Sequence, residues 1–251
     1  MPRIKSERAW FRSTTPDSLL LTLEGKRLPR QRRLFAVACC RRWLQDMPDA
    51  ESRNAVEVAE RYADGLADKE ELQAAYKAAQ AAAGRRFPIS FVAKESKADQ
   101  VWKVWALEHA AQLACAASGM EEAGREIRKQ ISRDADGSFG PGIKRILDQE
   151  TRAQCILIRD IFGNPFRPQP SIDSSWLSWN DGIVSKLAQA IYDDRAFDRL
   201  PILADALEEA GCTDADILNH CRQPGEHVRG CWVVDWVLGK SRRAISHGNH
   251  S

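Results

Sequence analysis

Apolar residues return every three or four positions through most of the chain, and strict two-residue alternation is nearly absent, so the pattern predicts helices rather than strands. Ala36, Cys40, Trp43, Leu44 and Met47 share one helical face, and Ala55, Val58, Ala59, Tyr62 and Leu66 share another. Asp68 with Glu71 three residues on reads as a capping box, ahead of the stripe Leu72, Ala75, Tyr76 and Ala79, with Gly84 as the stop. Pro88 breaks RRFPISFVAKES, the one short segment expected to run extended. Trp102, Trp105, Ala106, His109 and Leu113 mark another helix, and Ile127 and Ile131 a further one.

RDADGSFGPG, residues 133–142, is the strongest interruption, because its glycines and proline disfavour both helix and strand. It divides the chain into an N-terminal helical lobe, 1–132, and a C-terminal one, 143–240, with 133–142 as hinge and 241–251 as a disordered tail. In the second lobe, Ile146, Leu147, Cys155, Ile156 and Ile161 lie on a helix that ends at the proline-stiffened GNPFRPQP. Helices over 183–192 and 200–210 follow, and a third starts at Thr213 with Asp216 completing its cap. The last apolar stretch, HVRGCWVVDWVLG, stops at Gly239, and a helix over 227–238 is one reading of it. The expected fold class is all-α: a multi-helix, bundle-like domain, or two closely packed helical lobes.

With 251 residues, 43% hydrophobic and 29% charged, the chain has the balance of a folded protein rather than a disordered one. A formal net charge of +2 excludes a polyelectrolyte, but the charge is uneven. Residues 1–42 hold eleven Lys/Arg against three acids (Glu7, Asp17 and Glu24), and the stretch 46–71 turns acidic. Apolar runs fall short of the roughly 20 residues that cross a bilayer, and no apolar stretch follows the charged N-terminus, so no membrane partner is expected. Seven cysteines without a secretory signal point to a reducing compartment, the cytoplasm by default.

RLFAVACCRRW (33–43), AVEVAERYADGL (55–66), RDIFGNPFRP (159–168), AQAIYDDRAFDRLPILADALEEAGC (188–212) and HCRQPGEHVRGCWVVDWVLGK (220–240) carry a resemblance to a known family. From about Ala9 to Lys240 the chain resembles a heavily duplicated, uncharacterised family of planctomycete proteins, whose alanine- and tryptophan-rich middle corresponds to residues 67–132. The resemblance implies no activity, catalytic residue or cofactor, and no functional residue is carried over from it.

The residues themselves show no phosphate loop, no HExxH zinc helix, no GxSxG elbow and no GxGxxG opening a helix. DGSFGPG follows no strand and reads as a loop. The conspicuous constellation is C-terminal: Cys212, His220, Cys221, His227 and Cys231, with Asp235 beyond. On a helix, His227, Cys231 and Asp235 would stack at i, i+4 and i+8, and the QPGE turn could fold His220 and Cys221 back onto them. Zinc needs four such donors converging at about 2.0–2.3 Å, and Cys221, His227, Cys231 and either His220 or Cys212 could supply them. The alternatives are that the cysteines are small core residues, or that Cys231 and His227 form a nucleophilic pair, against which the apolar run CWVVDWVLG argues. Asp235 in that run calls for a structural ion pair. Cys39 and Cys40 point about 100° apart on a helix and read as core, as does His109.

Two further features face partners. Lys26, Arg27, Arg30, Arg32, Arg33, Arg41 and Arg42 could grip phosphates, but without interleaved aromatics they read first as a solvated basic face meeting the acidic 46–71 stretch. Phe162, Phe166 and Arg167, in and beside FGNPFRP, form a candidate partner-binding loop. The sequence thus points first to a non-catalytic helical interaction or regulatory module with a protein partner and no catalytic residue or cofactor. A nucleic-acid-associated accessory protein using residues 26–42 and a domain with a C-terminal Cys/His zinc site are the alternatives.

Overall fold

The computed structural model describes residues 2–26, 28–47, 49–85, 111, 114, 122–133 and 141–240. Among the described residues the protein is all-α, with eleven α-helices and no strand. They are α1 (Glu7–Arg12), α2 (Pro16–Thr22), α3 (Pro29–Arg41), α4 (Ala50–Ala63), α5 (Lys69–Arg85), α6 (Glu122–Arg133), α7 (Pro141–Phe162), α8 (Ser174–Asp194), α9 (Leu200–Glu209), α10 (Ala215–Arg222) and α11 (Trp232–Val237). No described helix is long and apolar enough to cross a membrane. Two compact units emerge, one of Met1–Lys5 with Arg12–Cys155, the other of Ser6–Phe11 with Ile156–Ser251. The expected extended segment RRFPISFVAKES beyond its first residue Arg85, the helix around His109, the centre of the 133–142 hinge and the 241–251 tail lie outside the described residues.

In the first unit, α3 is buried almost all round, Leu34 to Cys40 being at most 4% exposed, and α4 packs between it and α5. Two stripes end earlier than the sequence suggests. α3 stops at Arg41, so Trp43 lies past its end and Leu44 opens a 3-10 turn, Leu44–Asp46. α4 stops at Ala63 in a Schellman motif: Gly65, at φ +74°, donates to Tyr62 O, and Leu66 donates back to Arg61 O at 2.8 Å. Leu66 is thereby turned out to 67% exposure instead of joining the stripe. The cap at Asp68 forms as expected, its Oδ1 accepting from Glu71 N at 2.7 Å, but α5 runs through Gly84 to Arg85.

The buried face of α7 also differs from the apolar stripe. Ile146 and Ile156 are exposed, whereas Glu150 and Gln154, one turn apart, are at most 1% exposed. Their partners explain it. Glu150 accepts from Arg42 Nε and Trp43 Nε1, each at 3.1 Å, and from Gln154 Nε2 at 2.7 Å. Gln154 in turn accepts from Arg128 and lies close to Gly124, where a Cβ would stand 2.9 Å from its Oε1. A buried polar network therefore occupies positions that hydrophobicity alone would leave at the surface.

In the second unit, α8 to α11 share one core, with Val184, Ile191, Leu200, Leu203, Leu207 and Ile217 at its centre. α8 is broken at Trp179–Gly182, where Asn180, Asp181 and Gly182 all have positive φ. Its second part matches the expected 183–192 helix. α10 is capped by Asp214 rather than Thr213: the Asp214 carboxylate accepts from Asp216 N at 2.9 Å and Ile217 N at 3.2 Å. Trp236 is 7% exposed and donates from Nε1 to Pro170 O at 2.8 Å, while Trp232, one turn before it, is only partly buried. It lies over Gly163, at φ +61°, where a Cβ would meet the indole at 3.3 Å.

Candidate metal centre

Three segments of the second unit bring side chains to one point. Asp160 comes from the last turn of α7, inside the largely apolar stretch CILIRDIF. His220 comes from the last turn of α10. His227 and Cys231 come from the connection to α11, which does not take the helical reading: α11 begins only at Trp232. Pro224 stands just past the end of α10, and Gly230, at φ +95°, takes a backbone conformation that other residues rarely adopt. A turn closed by Cys231 N donating to Val228 O at 2.9 Å then carries both side chains inward. Convergence arises from this turn and not from stacking along a helix face.

His220 Nε2 lies 3.2 Å from Cys231 Sγ and 3.2 Å from Asp160 Oδ1. His227 Nδ1 is 2.6 Å from the same Oδ1, and Asp160 Oδ2 accepts from Val228 N at 2.9 Å. One donor atom from each of the four residues lies within 4.8 Å of every other. All four side chains are shielded: Asp160 at 2%, His220 at 8% and His227 at 6% side-chain exposure, with Cys231 fully buried. A tetrahedral ion with bonds of about 2.0–2.3 Å holds its donors roughly 3.3–3.8 Å apart, so the two 3.2 Å separations already approach that spacing. The His227–Asp160 hydrogen bond is the one that would have to open.

The electrostatics follow from the burial. Desolvation pushes Asp160 up, but hydrogen bonds from His220 and His227 and their charge outweigh it and leave its carboxyl below the usual range. Desolvation pulls His227 down, and the Asp160 carboxylate more than reverses this, leaving the imidazole raised. Burial, with the Asp160 charge beside it, pushes the Cys231 thiol well above the usual cysteine value. Cys231 without an ion is thus a neutral thiol, not a ready nucleophile.

Of the five metal candidates in the sequence, the fold brings together His220, His227 and Cys231. Cys212 and Cys221 are buried nearby in the same core, but their thiols are not among the converging donors, and burial pushes the Cys221 thiol up to about 12. Asp160 takes the fourth place. The signal that could have found it is the one applied to Asp235, which is indeed buried at 1%: a carboxylate set in a largely apolar stretch needs partners.

The basic segment is largely engaged within its own unit. Arg30, 5% exposed, pairs with Asp64 at 2.9 Å, Arg41 grips Glu60 through two nitrogens and also reaches Glu57, and Arg42 holds Glu150. Arg33 is buried, donates to Ala114 O and lies over the Tyr62 ring, and Arg32 donates to Leu23 O. Lys26 is exposed, and Arg27 lies outside the described residues. In the FGNPFRP loop, Phe162 is half-buried, Phe166 meets the buried Trp10 edge-on at a 6.5 Å centroid distance, and Arg167 pairs with Glu7 and Asp216. This loop therefore docks, at least in part, on the molecule's own α1. Comparison with protein-family models, curated proteins and solved structures finds no match to the chain.

Proposed function

We propose that the chain is a non-catalytic helical module whose C-terminal unit is closed by one zinc ion held by Asp160, His220, His227 and Cys231. The observation that carries this reading is the convergence of four shielded donors from three separate segments. The donor set, two imidazoles, a thiolate and a carboxylate, suits zinc. It supplies too few oxygens for calcium or magnesium and only one sulfur for copper(I). Four protein ligands without an open position give zinc a folding role, in which binding energy becomes stability. A Cys–His nucleophile fits less well. The same nitrogen of His220 faces both Cys231 Sγ and Asp160 Oδ1, whereas a relay needs the acid on one ring nitrogen and the nucleophile on the other.

Elemental analysis of the purified protein tests the reading. One zinc per chain is expected, and a strong chelator should lower the melting temperature. Asp160→Asn and Cys231→Ser should each lose the metal, and Cys231→Ser should also lose the thiolate-to-cobalt absorption of a cobalt-substituted protein. Protein that stays metal-free after incubation with zinc and melts identically with and without chelator would rule the site out.

A further inference from the structure

Because all four donors are shielded, an ion reaches them only when a side chain moves aside. Trp232 is where such a movement has least to break. Its indole joins the three segments that carry the donors. It follows Cys231 directly in the chain and opens α11. It tilts against the His220 ring with centroids 5.1 Å apart. It also rests on the backbone of Gly163, three residues past Asp160, where a Cβ would stand 3.3 Å from the indole Cγ. The ring is only partly buried, so part of it meets solvent. Among the described residues no hydrogen bond holds its Nε1, whereas Trp236, one turn on, is tied to Pro170 O at 2.8 Å. Swinging the ring outward is a side-chain rotation that leaves the main-chain bonds of the turn and of α11 in place.

The opposite approach is closed differently. Gln223 stands behind both imidazoles, 3.3 Å from His220 Nδ1 and 3.5 Å from His227 Nε2, while the nitrogens that face Asp160 are His220 Nε2 and His227 Nδ1. An ion arriving from that side would have to pass the rings themselves. We propose that Trp232 is the gate of the cluster: its ring swings off His220 and Gly163 to admit or release one zinc ion, and closes again without becoming a ligand. This inference rests on the zinc reading above and deepens it by naming what controls exchange of the ion. A gate slows loading and release alike, because it raises the barrier between the empty and loaded states and not their difference in free energy. Loss of a ligand or of a structural prop weakens binding instead.

The test compares the full chain as wild type, Trp232→Phe, Trp232→Ala and, as a control, Val184→Ala, which loosens the same core from α8. Loading is followed by thiolate-to-cobalt absorption after cobalt(II) is mixed with metal-free protein. Release is read as zinc passes to an excess of a chromophoric chelator, and affinity by competition with that chelator at equilibrium. Trp232→Ala should load and release about tenfold faster than wild type, the factor for ~1.4 kcal/mol of ring contact that no longer has to break. Trp232→Phe keeps an apolar cover, so it preserves the fold and should exchange at rates between the two. The zinc affinity of both should stay within about threefold of wild type. Val184→Ala should lower the melting temperature and leave both rates unchanged, because the opening is local. Either Trp232 variant exchanging at the wild-type rate, releasing faster only as far as its affinity falls, or being matched in speed by Val184→Ala would overturn the gate and leave the site standing. Wild type that binds neither zinc nor cobalt would overturn the site, and the gate with it.

Discussion

Asp17 accepts from Arg125 Nε at 3.0 Å and from Arg128 Nη2 at 2.7 Å. Burial pushes its carboxyl up, but the Arg128 charge and the hydrogen bonds from both arginines outweigh this and hold it below the ordinary aspartate value. A lowered value in the folded state means that the unfolded chain binds the proton more readily, so the contribution is full above about pH 4 and is lost as pH falls through the folded value. Asp17→Asn should accordingly flatten the acid limb of a stability–pH profile measured by urea unfolding between about pH 6 and pH 3. Trp236→Ala should cost about 3–5 kcal/mol, and Trp232→Ala clearly less because its ring is only partly buried, as compared by denaturant midpoints. Cysteines and histidines are chemically conspicuous and here lie within a dozen positions of one another, so three of the four cluster members were legible in the sequence. Asp160 was not, since acids are common along the chain and its pairing with His227, 67 residues away, is a tertiary fact.

Helices were legible because a helix buries a stripe and the stripe leaves a period in the sequence. Their ends were legible only where the stop or cap has a dedicated residue. Asp68 and the 200–210 helix came out nearly as read, but Gly84 lies inside α5, and the cap of α10 belongs to Asp214. Asp214→Ala should therefore cost about 1 kcal/mol, where Thr213→Ala should change little, both measured by chemical denaturation. The face of α7 was misread for a different reason. Period gives the angle of a stripe but not its chemistry, and Glu150 and Gln154 are buried only because Arg42 and Trp43 arrive from just past the end of α3 and Arg128 from α6. Gly163 shows the same dependence. At φ +61° and with Trp232 above it, Gly163→Ala should destabilise by roughly 1–2 kcal/mol from backbone strain alone, more if the indole cannot yield.

The charge asymmetry of the sequence has a use within the first unit. Its basic start meets the acidic stretch after residue 46, through Arg30 with Asp64 and Arg41 with Glu57 and Glu60. Phosphates would have to compete with these acids, so binding to a nucleic-acid oligomer at physiological salt should be no tighter than the micromolar affinities of non-specific contacts, and should fall steeply as salt rises in a filter-binding assay. The chain also contains eight tryptophans, which will emit as one overlapping band, yet among the described residues one of them is set apart. Trp232 tilts against His220 with ring centroids 5.1 Å apart. A positively charged or metal-bound imidazole withdraws electron density from an excited indole, so the brightness of this one ring follows the state of the cluster. Trp232→Phe subtracts that component from the spectrum. The difference turns the ultraviolet fluorescence of the unlabelled protein into a running record of what its histidines hold.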